Sequence, residues 1–300
     1  MKPMPTATVA GDERSDAVLR ASYGACRRMQ RRHDPTYYWA TRRLPGDVRP
    51  AVHALYGFVR TADELVDGPR RPPDPAGRRA ALDRLEADLE AGLATGGSSH
   101  PVIAALVDAG ARHDLPLSEL RVYMRSMRMD CGPLRIDSRA ELESYMNGSA
   151  ATVGRIMAPL LGSPPELRES FAQLGVAFQL TNFIRDVRED YALDRVYLPR
   201  EDRDRHGVSE AEIARGEVTP GFRALLAGEV AQARTLFAET SAAVTGVAPR
   251  VRPGMRLART VYLRVLDRVE AGGFDVLRRR AALNPLQLGG AAIAALRPVS

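Results

Sequence analysis

Four aspartates fall into two matched sets. Tyr56, Arg60, Asp63 and Asp67, in LYGFVRTADELVD, recur at spacings of four, three and four, so they share one stripe of a helix. Gln179, Asn182, Asp186 and Asp190, in GVAFQLTNFIRDVRED, recur at three, four and four. A single pair of aspartates four apart reads as a solvated helix face. Three features oppose that reading here. Each pair lies within an apolar segment, each has an arginine beside it (Arg60 and Arg185), and the pattern occurs twice. Burying a carboxylate without a partner is costly, so these groups call for a cation. One helical turn rises about 5.4 Å, so carboxylates four apart can share one hydrated cation or bridge two. Magnesium keeps several waters and is held by one or two carboxylates together with substrate phosphate oxygens. Asn182 adds a neutral oxygen one turn before Asp186, and Arg60 and Arg185 would neutralise phosphate directly.

Two acidic walls with a cation between them and apolar helices below suit ionisation of an allylic diphosphate. The leaving group is stabilised by metal and arginine while the carbocation stays in a dry pocket. No P-loop and no GxGxxG is present, which disfavours an NTPase or a Rossmann dehydrogenase.

The elements that must hold these residues are helices. The stretch from Gly175 is apolar almost all the way round and belongs inside the protein. Helical patterns run over about 15–32, from Pro50 to about Gly68, and over 78–92, 101–112, 117–130, 139–161 and 165–190. Further ones run over 210–214, 222–245, 253–271 and 274–283. Asp47 reads as the cap of the first acidic helix, with Pro50 in its first turn. The proline-rich 69–77 reads as a surface loop, and Trp39, in the cluster Tyr37-Tyr38-Trp39, as core filling. Gly148 to Gly154 reads as a close-packing face and not as a phosphate loop. No strand alternation and no solenoid repeat is visible. The expectation is an all-α chain: a flexible arm over 1–14, one helical domain over 15–284, and a tail over 285–300.

The composition agrees with a large core: 300 residues, 45% hydrophobic and 27% charged. The formal charge of +6, carried mostly by arginine, favours anionic partners. Without zinc-finger spacing or a basic stripe with interleaved aromatics, nucleic acid is disfavoured. Cys26 and Cys131 match no metal or redox motif, and none of the five histidines has HExxH spacing. No signal peptide and no run of about 20 apolar residues is seen, so a cytoplasmic protein is expected.

Five segments together identify the chain as resembling the squalene/phytoene synthase family, closest to its phytoene-forming members. They are RRHDPTYYWATRRLP, ALYGFVRTADELVD, LESYMNGSAATVG, GVAFQLTNFIRDVREDYALDRVYLP and RTVYLRVLDRVEAGGFDVLRRR, in family order over about residues 22–282. The resemblance implies an isoprenoid synthase fold, with helices around a central apolar cavity. It implies head-to-head joining of two geranylgeranyl diphosphates through a cyclopropyl intermediate, with magnesium or manganese and no nicotinamide. It assigns the metal to Asp63, Asp67, Asn182, Asp186 and Asp190, and the diphosphates to Arg60, Arg185, Gln179 and Arg279. Tyr56, Tyr145, Tyr197 and Tyr262 would stand near the diphosphates or the reacting carbons, with Tyr145 assisting proton loss or steering the cation. Glu64 stands where the family often has another aspartate, and Ile136 near a usual aromatic.

Two other readings compete. One is a sister enzyme making presqualene diphosphate, squalene or dehydrosqualene from farnesyl diphosphate. The other is a non-catalytic helical protein that binds lipid or a partner. A long hydrocarbon product also implies peripheral contact with a membrane.

Overall fold

The protein is described here by a computed structural model covering residues 7–279 and 281, with side chains described from residue 16 onward except at 36. It is built of helices: α1 Ala7–His33, α2 Pro35–Thr41, α3 Arg49–Val66, α4 Pro75–Thr95, α5 Pro101–His113, α6 Glu119–Met129, α7 Arg139–Met146, α8 Thr152–Leu160, α9 Arg168–Arg185, α10 Val187–Ala192, α11 Arg200–Arg205, α12 Glu210–Arg215, α13 Pro220–Glu239, α14 Ser241–Thr245 and α15 Arg252–Ala271. The all-α expectation holds, apart from one parallel pair of two-residue strands, β1 Leu134–Arg135 beside β2 Arg195–Val196.

Helix α9 is central. It packs on α8 and α13 and touches α14 and α15, while α1, α3 and α5 form a second packed group. Its buried side chains, Phe171, Leu174, Val176, Leu180, Phe183 and Ile184, leave little of it to solvent. The small residues explain the close fit. A Cβ on Gly154 would lie 2.2 Å from the Phe171 carbonyl oxygen, and one on Gly175 would lie 2.6 Å from that of Ala150. Backbone meets backbone there, as the close-packing reading of Gly148 to Gly154 requires.

Several boundaries differ from the sequence expectation. Helix α1 begins at Ala7, inside the expected arm, because no proline interrupts 7–33 and its two interior glycines cost only about 1 kcal/mol each. Val48, not Asp47, stands at the start of α3, and Asp47 instead pairs with Arg250. The prolines of the 69–77 loop do not all lie outside helix: Pro75 opens α4, whose cap is Asp74. The expected helix over 139–161 is interrupted by a π turn, Asn147–Ala151, and the one ending at Asp190 breaks at Asp186. Residues 272–279 form turns where a helix from Phe274 was expected, because Gly272 and Gly273 end α15 and Phe274 has a positive φ of 60°. The tail over 285–300 lies outside the described residues. Trp39 is not core filling: it is 59% exposed.

Candidate active site

Helix α3 brings its acids to its C-terminal end. Asp67 ends the helix and Asp63 lies one turn back, half-buried. Asp63 accepts a hydrogen bond from the Tyr123 hydroxyl at 3.3 Å. Burial pushes its carboxyl up to about 7; Arg60 opposes the rise and Asp67 adds to it. Glu64 has its own role. It pairs with Arg60 and lies 3.6 Å from His33 at the end of α1.

The second set sits on α9 and α10. The break at Asp186 still lets the Asp190 amide donate to the Asp186 carbonyl at 2.8 Å, so the two carboxylates stay one turn apart. Arg185 clasps Asp186, with Nε to Oδ1 at 2.8 Å. Burial, with Asp186 beside it, raises the Asp190 carboxyl to about 8 against the pull of Arg195. Asn182 donates to the Gln179 side-chain carbonyl oxygen at 3.4 Å and lies beside the Tyr262 hydroxyl. Its own oxygen, Oδ1, is buried with no hydrogen-bond partner among the described residues. Such an orphaned acceptor is costly unless a cation or donor meets it.

Arg195 joins the two sets. It donates from Nη1 to Asp67 Oδ2 at 2.9 Å and lies within electrostatic reach of Asp190. β2 holds it there, since the Leu134 amide donates to the Asp194 carbonyl and the Ile136 amide to that of Val196. Two residues on, Tyr197 points the same way, as strand alternation requires.

Asp130, at the end of α6, was missed by the sequence reading. It is 5% exposed and accepts from Tyr145 at 2.5 Å and from Tyr197 at 2.8 Å. Arg195 Nε lies 3.8 Å from its carboxylate, and Arg195 Nη2 donates to its carbonyl at 2.6 Å. Burial lifts its carboxyl to about 6, while Arg195 and the two hydroxyls hold it down. A chain of contacts therefore runs Tyr145 and Tyr197, Asp130, Arg195, Asp67. No local signal marks Asp130, because its partners are 15, 65 and 67 residues away.

The aromatic residues complete the surroundings. Tyr145 and Tyr197 pack with Phe183, ring centroids 5.9 and 4.0 Å away. Tyr262 lies 4.4 Å from Phe178, and Tyr56 stacks on Tyr37 at 6.1 Å. Burial raises all four named site tyrosines, so they remain neutral phenols. Val59, Val153, Met157 and Phe178, on α3, α8 and α9, stay half-buried. Arg279 is not brought in. It is exposed beside Arg268, Gly272 and Asp275, because α15 ends before it and the chain turns away.

The donor set fits a hard divalent cation: carboxylate and amide oxygens, with one amide oxygen unsatisfied. Among the described residues no group of three or more His, Cys, Asp or Glu side chains is gathered tightly enough to hold a metal alone.

Comparisons with known proteins identify the family and the fold. A family model described as squalene/phytoene synthase matches residues 30–287. Phytoene synthase of Thermus thermophilus is 36% identical over 89% of this chain and 90% of its own length. A 15-cis-phytoene synthase of Synechococcus elongatus is 31% identical over 91% of each chain. Maize phytoene synthase 3 is 34% identical over 89% of this chain, which spans 63% of the maize protein's length. Among solved structures, a dehydrosqualene synthase superposes with a TM-score of 0.85 at 24% identity, covering 92% of this chain and 96% of that one. A squalene synthase from Alicyclobacillus acidocaldarius gives 0.77 at 29% identity, covering 85% and 95%.

Proposed function

The chain belongs to the squalene/phytoene synthase family, is a prenyltransferase-type enzyme with phytoene synthase function, and from that premise we propose how its residues share the work. Enzymes of this family use prenyl diphosphates and typically a divalent metal; we assign magnesium and geranylgeranyl diphosphate. The observation that carries the assignment is the approach of Asp67 and Asp190 to one arginine, Arg195, which joins acidic pairs more than a hundred residues apart in the chain.

Asp63, Asp67, Asp186, Asp190 and the free oxygen of Asn182 would hold the metal. Bound there, it would supply charge neutralisation to the departing diphosphate. Arg60 and Arg185 now clasp Glu64 and Asp186. An incoming diphosphate offers each a more highly charged partner, so both can turn to it and neutralise its oxygens. Gln179 orients Asn182 through its side-chain contact.

The half-buried apolar residues of α3, α8 and α9 would take the prenyl chains and keep water from the cation. Two substrates join in a cyclopropyl diphosphate, which then ionises, rearranges and loses a proton to give phytoene, with two diphosphates released in all. Tyr145 and Tyr197 both donate to Asp130. Their oxygen lone pairs are thereby left as the electron-rich side of each phenol, suited to steering a carbocation. Tyr56 and Tyr262 border the diphosphate side. The reaction ends in proton loss, so no nicotinamide is required.

No described helix is long and apolar enough to cross a membrane. We propose a cytoplasmic enzyme that meets a membrane peripherally, supported by its positive charge and the hydrocarbon it would release.

The test is incubation with each prenyl diphosphate and magnesium, with and without NADPH, followed by mass analysis. Phytoene from geranylgeranyl diphosphate without NADPH is expected. A hydrocarbon from farnesyl diphosphate alone, or only with NADPH, would move the assignment to a sister enzyme.

A further inference from the structure

Trp39 is the chain's single tryptophan, and it faces solvent. The geometry of α2 explains why. Tyr37 turns inward onto Tyr56. Two residues further along a helix a side chain points to nearly the opposite side, because each residue turns about 100°. Trp39 is therefore held outward as long as Tyr37 faces the site. The short helix is firmly tied down. The Tyr37 amide donates to Asp34 at 2.8 Å, Gln30 donates to Thr41 at 3.1 Å, and Tyr38 stacks on His53 at 5.9 Å. Tyr38 meets the indole edge-on at 6.4 Å, and the Arg42 guanidinium lies 4.9 Å over it. A rigid, exposed indole, apolar in its body and polar at its N–H, suits a boundary between water and lipid.

The charges around it are mostly positive; the nearest acid, Asp34, caps α2 and lies within electrostatic reach of Tyr37, Tyr56 and Tyr262. Arg27, Arg28, Arg31 and Arg32 are exposed along the outer side of α1, and Arg42 and Arg43 follow Trp39. Nearby acids are already engaged: Asp16 with Arg20, Glu64 with Arg60 and His33, Asp47 with Arg250. Among the described residues none of these six arginines has an ion pair. Arg27 and Arg49 lie close enough to His53 to disfavour its proton, which sets the α1 stripe beside the His53–Tyr38–Trp39 stack.

We propose that this α1–α2 corner, centred on Trp39, docks the protein on an anionic lipid bilayer. The indole would sit at headgroup level, with the guanidinium groups on lipid phosphates. This deepens the peripheral contact argued above and rests on that reading. Docking here would place α2 between the bilayer and Tyr56, so the diphosphate side of the site would lie next to the surface.

The single tryptophan makes a label-free test with the full chain. Its emission is followed during titration with phosphatidylglycerol-containing vesicles and, separately, with phosphatidylcholine vesicles. A blue shift with the anionic vesicles only, quenched by brominated acyl chains and reversed by salt, is expected. Co-sedimentation of Arg42→Ala/Arg43→Ala should weaken by about tenfold or more, since each basic residue near such a surface contributes about 1 kcal/mol. Turnover of detergent-dispersed substrate should be unchanged in that variant and in Trp39→Ala. No spectral shift, an equal shift with neutral vesicles, or co-sedimentation without quenching overturns the proposal. A shift with single-stranded DNA and none with vesicles replaces the bilayer with nucleic acid. Normal detergent turnover in any of these cases leaves the catalytic assignment standing.

Discussion

Asp63 is a half-buried carboxylate and Asp130 a buried one, and their environments give them different work. Asp63 has one hydroxyl donor and a second aspartate nearby, and its carboxyl is pushed up to about 7. Its charge is poorly accommodated by the protein alone, so a neutral amide should cost the fold little. Asp63→Asn is expected to leave the melting temperature unchanged or higher while removing most turnover, checked by calorimetry beside product analysis. Asp130 instead receives two hydroxyls and lies beside a buried guanidinium. Asp130→Ala should destabilise by about 3–5 kcal/mol, since it leaves Arg195 short of a counter-charge and two phenols unsatisfied. Urea unfolding measures this, and a loss under 1 kcal/mol would contradict the described network. At this scale the sequence was informative where pattern is local. The aspartate pairs are readable because four residues make one turn. Asp130 is not, because its partners arrive through the tertiary fold. Trp39 misled because side-chain type limits what may be inside far better than what must be.

Helices were legible wherever the apolar period ran unbroken, and illegible where one residue shifts the hydrogen bonding. The π turn at Asn147–Ala151 and the break at Asp186 lie inside continuous helical patterns, and composition alone does not mark such insertions. The strand pair is too short for alternation to register, though it positions both Arg195 and Tyr197. Spacing between elements can be probed directly. Gly154→Ala would put a methyl 2.2 Å from a backbone oxygen, which cannot rotate away. A loss of about 1–3 kcal/mol and of activity is expected as α8 and α9 are forced apart; wild-type melting would contradict the packing. His53 joins α1, α2 and α3 through Gln30 and Tyr38. Burial, then Arg27 and Arg49, lowers it from 6.5 to about 4. Its folded form refuses a proton that the unfolded chain accepts. Stability is therefore present above 6.5 and lost as pH falls towards 4, by on the order of 1–2 kcal/mol after screening. His53→Gln should flatten that part of a melting-temperature profile between pH 7 and about 4.

On the scale of the molecule, the site is a seam. One acidic pair ends a helix of the α1–α3–α5 group, and the other ends the central helix α9 that packs with α8 and α13. Among the described side chains Arg195 reaches across the seam, and its charge must serve Asp67, Asp130 and Asp190 together. One cation among three acids leaves net negative charge between the two groups, and that charge opposes their approach. A ligand carrying compensating charge into the seam should tie the groups together, stabilising the whole chain by linkage. Magnesium alone lacks the phosphate oxygens that complete its coordination, and diphosphate alone meets carboxylates of its own sign. The two together should therefore act cooperatively: melting rises by a few degrees with magnesium and inorganic diphosphate, and by much less with either alone. A hundredfold excess over Kd would contribute roughly 2.7 kcal/mol. Asp186→Asn should abolish the cooperative part while leaving the unliganded melt in place. Equal shifts from diphosphate with and without magnesium would mean that the arginines suffice, and that the aspartates are not ligands of a metal.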